Sequence, residues 1–493
     1  MSETQIALTP ARRTGRIDRK VFGGFVEHLG RCIYGGLYDE GSPLADERGF
    51  RKDVLGLLRE LRLGVLRWPG GNFVSNYHWT DGIGPKESRP RRPELAWGGE
   101  EPNRFGTDEF LAYCAELGTE PYICLNMGTG TLAEALDWVE YCNSAADTHW
   151  AGRRRENGHQ APYGVRYWGL GNEMYGEWQV GAISADEYVR EATRWARAIK
   201  MLDPAAKLIS CGLNGWSEWD RIVIDGMAAL TDYHSVHIYT GSDDYWTNVL
   251  QPHQAERAIT TAKTLIQRTA YTQKLARPPL IAYDEWNVWY RQMREGLEER
   301  YTFDDALAVG TYLNIFVRNA DWVGMANLAQ MVNAIAPIVT TDRAAFAQPV
   351  YYPVLLHARA ALDSAVDVHV DGETVSPDLP PDASRWPHHV ADLGPFQLVD
   401  AAASVTDHMN RVAVTMVNRS REAETVRIVL RDFAFTGPAE RTTVTAGDGE
   451  ADTLPGIAAS HLESGTESTK DGTAVLTLPP ESFTVIEAAM TMP

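Results

Sequence analysis

Along this chain the spacing of apolar positions follows one rule up to about residue 360 and another after it. From Val21 onward short apolar runs recur. Each is closed by a polar or glycine-rich turn and followed by a stretch whose apolar residues return every three to four positions. Eight runs read as strands: Val21–Glu27, Val65–Pro69, Pro121–Asn126, Val165–Leu170, Lys207–Cys211, His234–Tyr239, Leu280–Asp284 and Gly324–Ala329. Between them Arg51–Leu61, Asp108–Leu117, Leu132–Cys142, Ala185–Met201, Gln254–Tyr271 and Asp305–Asn319 read as amphipathic helices, with Tyr351–Leu362 as the last. Strands alternating with helices at this spacing predict a parallel sheet, and eight of them predict an α/β fold of the closed (β/α)8, TIM-barrel type.

After Tyr351–Leu362 come proline-rich stretches at Ser376–Pro381 and Arg385–Pro387, and the apolar period then drops to two. Arg411–Val417, Glu424–Leu430, Arg441–Thr445, Ala474–Leu478 and Phe483–Glu487 alternate in this way between Gly, Asp and Ser turns, which predicts a C-terminal antiparallel β-sandwich. The early strand-like piece Thr4–Ala11 has no place in the barrel and is expected to join that sandwich. The expected division is therefore a barrel over 16–365 and a sandwich over 366–493, the latter taking in 1–15.

A chain of 493 residues with 44% hydrophobic and 23% charged residues has room for both units and a full core. Its formal charge of −20 argues against nucleic acid and anionic membranes as partners. The first residues lack the basic-then-apolar pattern of a secretory signal, and no apolar run is long enough to span a bilayer. The five cysteines are odd in number and lack CxxC spacing, as expected of reduced thiols in the cytoplasm. His234 and His237 lie near one strand end, but without an HExxH or paired-cysteine framework no metal is expected.

The chemistry gathers where strands end. The runs close on Glu27-His28, Arg67 to Asn72, Asn126-Met127-Gly128, Asn172-Glu173, His237-Ile238-Tyr239, Asp284-Glu285-Trp286-Asn287 and Gln330; only the fifth, near Asn214, carries nothing notable. Polar groups at the C-terminal ends of barrel strands line a pocket, and with aromatics such as the 15 Trp and 20 Tyr nearby, that pocket suits a sugar. Glu173 and Glu285 end the fourth and seventh strands, nearly opposite each other. Carboxylates about 5–5.5 Å apart would give a retaining glycosidase and about 6.5–9.5 Å an inverting one, a distance sequence does not supply.

The strings RWPGGNFVSNYHW, YWGLGNEMYGEWQ, AYDEWNVWY and NLAQMVNAIAPI resemble those of the intracellular α-L-arabinofuranosidases of glycoside hydrolase family 51, and the resemblance runs over nearly the whole chain. It implies Glu173 as general acid/base and Glu285 as nucleophile of a retaining, exo-acting enzyme. It further implies Glu27, Asn72, Asn172, Tyr239 and Gln330 as the residues that hold the arabinofuranosyl ring, with no cofactor and a hexameric assembly. The expected substrates are arabinan- or arabinoxylan-derived oligosaccharides. On these roles the Glu173 pocket should raise its pKa, Tyr239 should orient Glu285, and Asn172 should reach the sugar 2-hydroxyl.

Other readings stand beside these. Arg67 either stabilises the Glu285 anion or ties its strand to a neighbour, and His237 is either a pocket group or a core histidine. Trp97, Trp178 and Trp246 either roof the pocket or are loop aromatics without a role. Tyr239–Asn248, the segment least like the family, is expected to border the leaving group. Two further functions differ in class: a β-glucan or xylan backbone glycosidase, which an open cleft would favour, and a non-catalytic sugar-binding protein, which loss of one carboxylate would favour.

Overall fold

The computed structural model describes residues 3–290, 297–378, 390–450, 456–470 and 472–492. The stretch Arg385–Pro387 and part of Ser376–Pro381 lie outside them. Eight parallel strands close into a barrel: Gly23–Phe25, Val65–Trp68, Glu120–Cys124, Tyr167–Leu170, Lys207–Ser210, Tyr233–Thr240, Leu280–Val288 and Val323–Ala329, the last pairing with the first. The first strand is much shorter than the apolar run suggested. Val21 and Phe22 instead belong to a 3-10 turn, Arg19–Phe22, whose start is capped by Asp18 accepting from the Lys20 N–H. Both side chains are buried all the same, which is why the run reads as continuous strand.

The helical expectations fall within a residue or two of Lys52–Leu61, Thr107–Leu117, Leu132–Asn143, Ala185–Leu202, Gln254–Gln273, Phe303–Arg318 and Tyr351–Ala360. Ser184 shows why Ala185–Leu202 starts where it does: its hydroxyl accepts from Glu187 N–H while the Glu187 carboxylate returns the bond. The short helices His149–Glu156, Glu218–Met227 and Tyr245–Leu250 were not expected. The last of these begins inside Tyr239–Asn248, the segment expected to border the leaving group. Asp244 caps it by accepting from Thr247 N–H at 2.8 Å, and its Tyr245 hydroxyl donates to Arg419 O at 2.6 Å, so this helix supports the second unit while Tyr239, Thr240 and Gly241 before it line the pocket.

That unit is an eleven-stranded sheet wrapped around its own apolar core, in which Ile6, Leu8, Val399, Val414, Ile428, Leu476 and Ile486 meet. The pairing is antiparallel except at Thr4–Arg16, which lies antiparallel to Ser364–Asp371 and parallel to Glu424–Leu430. Strands Ser364–Asp371, Val399–Val405 and Ala458–Glu467 were missed; the last has no buried residue and shows no apolar alternation. Among the described residues no helix is long and apolar enough to cross a membrane.

Barrel and sheet meet through buried charge. Asp400 accepts from Asn314 at 2.8 Å and Arg318 at 3.0 Å, and lies 3.6 Å from Arg419, a fully buried guanidinium that also donates to Thr311. Removing one partner from such a network strands the others without solvent. Asp400→Ala is therefore expected to lower unfolding stability by about 3 kcal/mol, read from denaturant midpoints. A loss below about 1 kcal/mol would mean that the network does not hold the two units together.

Candidate active site

Two of the strand ends build the floor by unusual means. In the seventh strand the pairing register with the sixth shifts between Ala282 and Glu285. A regular strand sends neighbours to opposite faces, but this irregularity lets Asp284 and Glu285 both turn into the barrel, while Tyr283 and Trp286 pack outward on Tyr312 and Phe316. At the end of the fourth strand Gly171 and Glu173 have φ of 77° and 45°. A non-glycine residue in the left-handed region is strained by about 1–3 kcal/mol, and such strain concentrates at functional sites.

Arg67 lies beneath both carboxylate positions. Its guanidinium is fully buried, stacked 4.4 Å from the Phe25 ring centre, and donates to Glu285 at 2.7 Å and to Asn172 Oδ1 at 2.5 Å. The two readings of Arg67 thus merge, since it both pairs with Glu285 and ties strands together. Tyr239 hydroxyl donates to the other Glu285 oxygen at 2.8 Å. Across the pocket Glu173 takes hydrogen bonds from Tyr175 hydroxyl at 3.1 Å and Trp178 Nε1 at 3.2 Å, and its Oε1 lies 3.0 Å from His237 Nδ1. His237 Nε2 lies 3.2 Å from Asp284 Oδ1. Asp284 is otherwise enclosed, accepting from Tyr122 at 2.8 Å and Ser235 at 2.5 Å.

One oxygen of Glu173, one of Glu285 and His237 Nδ1 lie within 4.8 Å of one another. Such a spacing could also surround an ion, but the same atoms are engaged with Arg67 or Tyr239 and with each other, as suits carboxylates sharing protons. The electrostatics correct one expectation. Burial favours the acid form of Glu173, yet the hydrogen bond and charge of His237, with Trp178 and Tyr175, outweigh it and hold the carboxyl below its usual range. Burial lowers the His237 pKa, but Glu285, Asp284 and Glu173 outweigh this and raise it to about 10. Asp284, pushed up by burial, is held at about 2 by Arg67 and His237. Between Glu173 and His237, the proton therefore rests on the imidazole.

Above this floor is a pocket of about 230 Å³. Glu27, Asn72, Glu173, Tyr239, Glu285 and Gln330 give it polar walls, and Leu29, Trp97, Trp178, Trp289 and Ile335 give it apolar ones. Glu27 accepts from Phe73 N–H at 3.0 Å, Trp97 Nε1 at 3.0 Å and Gln330 Nε2 at 3.1 Å. Burial nevertheless raises its pKa to about 8. Asn172 does not line this pocket; it is packed behind, its amide 3.4 Å from Asn72 Oδ1.

Trp97 and Trp178 are pocket residues, whereas Trp246 packs in the apolar cluster between helix and sheet. Three strand-end groups serve structure instead. His28 is held by Glu101 at 2.8 Å and Trp68 at 3.1 Å, Asn126 organises its own loop through Tyr77 and Thr129, and Asn287 donates to Ala329 O and Ile335 O. Conversely the fifth strand end is not idle, because Leu213 and Asn214 join Glu173, Tyr175 and His237 around a second, smaller cavity. Tyr175, Trp289 and Ile335 went unnoticed in the sequence, and no spacing marked them out.

The α-L-arabinofuranosidase 1 domain model matches residues 57–257 and the α-L-arabinofuranosidase C-terminal domain model residues 284–482. A probable α-L-arabinofuranosidase C of Aspergillus clavatus is 42% identical, over 98% of this chain and 96% of its own length. An intracellular exo-α-(1→5)-L-arabinofuranosidase 1 of Bacillus subtilis is 35% identical, over 88% of each chain. The solved structure of a family 51 α-L-arabinofuranosidase of Thermotoga petrophila is 41% identical, superposes with a TM-score of 0.90, and is covered over 98% of this chain and 100% of its own. With barrel, sheet and both carboxylate-bearing strand ends inside these matches, the chain belongs to the α-L-arabinofuranosidases of glycoside hydrolase family 51.

Proposed function

We propose that this glycoside hydrolase removes single terminal α-L-arabinofuranosyl groups from arabinan or arabinoxylan oligosaccharides with retention of configuration. Glu285 is the nucleophile and Glu173 the general acid/base. The observation that carries the reading is the carboxylate pair itself. Facing oxygens within 4.8 Å leave no gap for an inverting water between the two groups, and sit near the separation at which one carboxylate attacks the sugar directly. Arg67 and Tyr239 each donate a hydrogen bond to Glu285 and aim it. When the ester forms, that charge disappears, and Glu173 can activate water for the second displacement.

Exo action is supported by the pocket's shape. Trp97, Trp178, Trp289 and Ile335 wall it on several sides, where a backbone glycosidase would need a through-going cleft. Glu27, Asn72 and Gln330 present fixed hydrogen-bond partners to the ring hydroxyls, the means by which a site rejects sugars lacking them. Asn172 acts at one remove, orienting Asn72 and Arg67 until a sugar draws its amide forward. Action in the cytoplasm on short imported oligomers is supported by the intracellular Bacillus relative and by five buried, unbridged cysteines. Assembly as a homo-hexamer rests on the family resemblance.

Glu285→Ala and Glu173→Ala are each expected to lower kcat/KM on alkyl α-L-arabinofuranosides by at least about 100-fold. Azide should rescue Glu173→Ala on an activated aryl arabinoside to give the α-azide, and Glu285→Ala to give the β-azide. Inversion of these products would reverse the two roles. On linear arabinan oligosaccharides, chromatography should detect arabinose and chains shorter by one unit from the earliest times. Early internal fragments would overturn exo action.

A further inference from the structure

Five charged groups pack beneath the pocket, and the double displacement as usually written employs two of them. His237 is the link among the rest. Its Nδ1 lies 3.0 Å from Glu173 Oε1 and 3.7 Å from Glu285 Oε2, and its Nε2 lies 3.2 Å from Asp284 Oδ1. The His237 side chain is 4% exposed and Asp284 is 1% exposed, so the pair is largely shielded from bulk solvent. Among the described residues, these charged and titratable groups face it. Glu173 faces it from the fourth strand with Tyr175 behind; Asp284 and Glu285 face it from the seventh; Tyr239 shares its own strand; Arg67 pairs with both strand-seven carboxylates. Cys211, behind Glu173, is held as a neutral thiol by burial.

With Glu173 taken as acid/base, as above, we propose that His237, seated on the buried carboxylate of Asp284, is the positioning residue that stores the proton Glu173 gives to the leaving oxygen and takes back from water. In the free enzyme His237 is an imidazolium and Glu173, Glu285 and Asp284 are carboxylates. As Glu285 attacks the anomeric carbon and the glycosidic C–O bond breaks, the Nδ1 proton passes to Glu173 and from it to the leaving oxygen. The products are the Glu285 ester, the free alcohol, a Glu173 carboxylate and a neutral His237 that keeps its Nε2 proton toward Asp284. Net charge is unchanged, since one anion and one cation vanish together. In the second step water attacks the anomeric carbon, its bond to the Glu285 oxygen breaks and the Glu285 carboxylate leaves, and the water's proton passes through Glu173 to Nδ1. Esterification itself triggers the release, because the Glu285 charge is foremost among the neighbours that hold the proton on His237.

The test compares kcat/KM for methyl and 2,4-dinitrophenyl α-L-arabinofuranosides, whose leaving groups do and do not need protonation, across pH. For His237→Asn the methyl substrate should lose at least about 100-fold and the dinitrophenyl substrate less than about 5-fold. The alkaline limb with the methyl substrate should move down by about one pH unit or more, since Glu173 alone holds the proton less tightly than the pair. Asp284→Asn should reproduce the same leaving-group dependence, and it decides the matter if His237→Asn does not fold; His237→Gln serves if neither does. Equal losses on both substrates, or an unmoved alkaline limb, would overturn the role and leave His237 a packing residue. If Glu173→Ala itself lacks leaving-group dependence, the acid/base assignment falls as well; if it has the dependence and the His237 and Asp284 variants lack it, only the storage role falls.

Discussion

The contact on which the site depends is the buried pairing of Arg67 with Asp284 and Glu285. A guanidinium sealed under a pocket, with both strand-seven carboxylates as counter-ions, is tolerable only while all three stay in register. That requirement fixes the second and seventh barrel strands against each other across the barrel. The bond from Arg67 to Asn172 adds the fourth strand, and His237 adds the sixth. Four strands are thereby held to a common depth by charge rather than by packing, at the level where a sugar would rest.

The same economy explains why Asp284 and Glu285 stand side by side. Alternation in an ordinary strand would put one of them outside, against the apolar helices. The shifted register keeps both within, so the carboxylate paired with Arg67 and the counter-ion of His237 come from adjacent residues of one chain segment. Any displacement of the seventh strand moves both together, and the relation between the two halves of the site is preserved.

How much of this was legible depends on whether a feature was written locally. Glu173 and Glu285 were legible, because a short apolar run ending in a carboxylate among aromatics is a pattern within one segment. The eight strands and most long helices were legible for the same reason. Asp284 was not distinguished from its neighbour, since its partners Tyr122, Ser235 and His237 come from other strands and only closure of the barrel brings them together. The pKa of Glu173 was misjudged on the same ground: its role in catalysis suggested a carboxylic acid, while the imidazolium 3.0 Å away favours a carboxylate. The helix inside Tyr239–Asn248 went unread for a different reason: Asp244 marks its start, but the partner that gives it its purpose is Arg419, far along the chain.

Glu27 completes the electrostatic design. At neutral pH its carboxyl, raised to about 8 by burial, carries its proton, although Phe73, Trp97 and Gln330 all point donors at it. Were it ionised, the pocket would hold a further anion facing Glu285, and each would oppose the charge of the other. As a neutral acid it can both give and accept a hydrogen bond with a sugar hydroxyl, and it leaves the positive field of Arg67 and His237 to the two groups that need it. Recognition and chemistry are thus separated by protonation state rather than by distance. On the proposed roles, the neutral carboxyl binds, Glu285 attacks, and Glu173 exchanges its proton with a histidine.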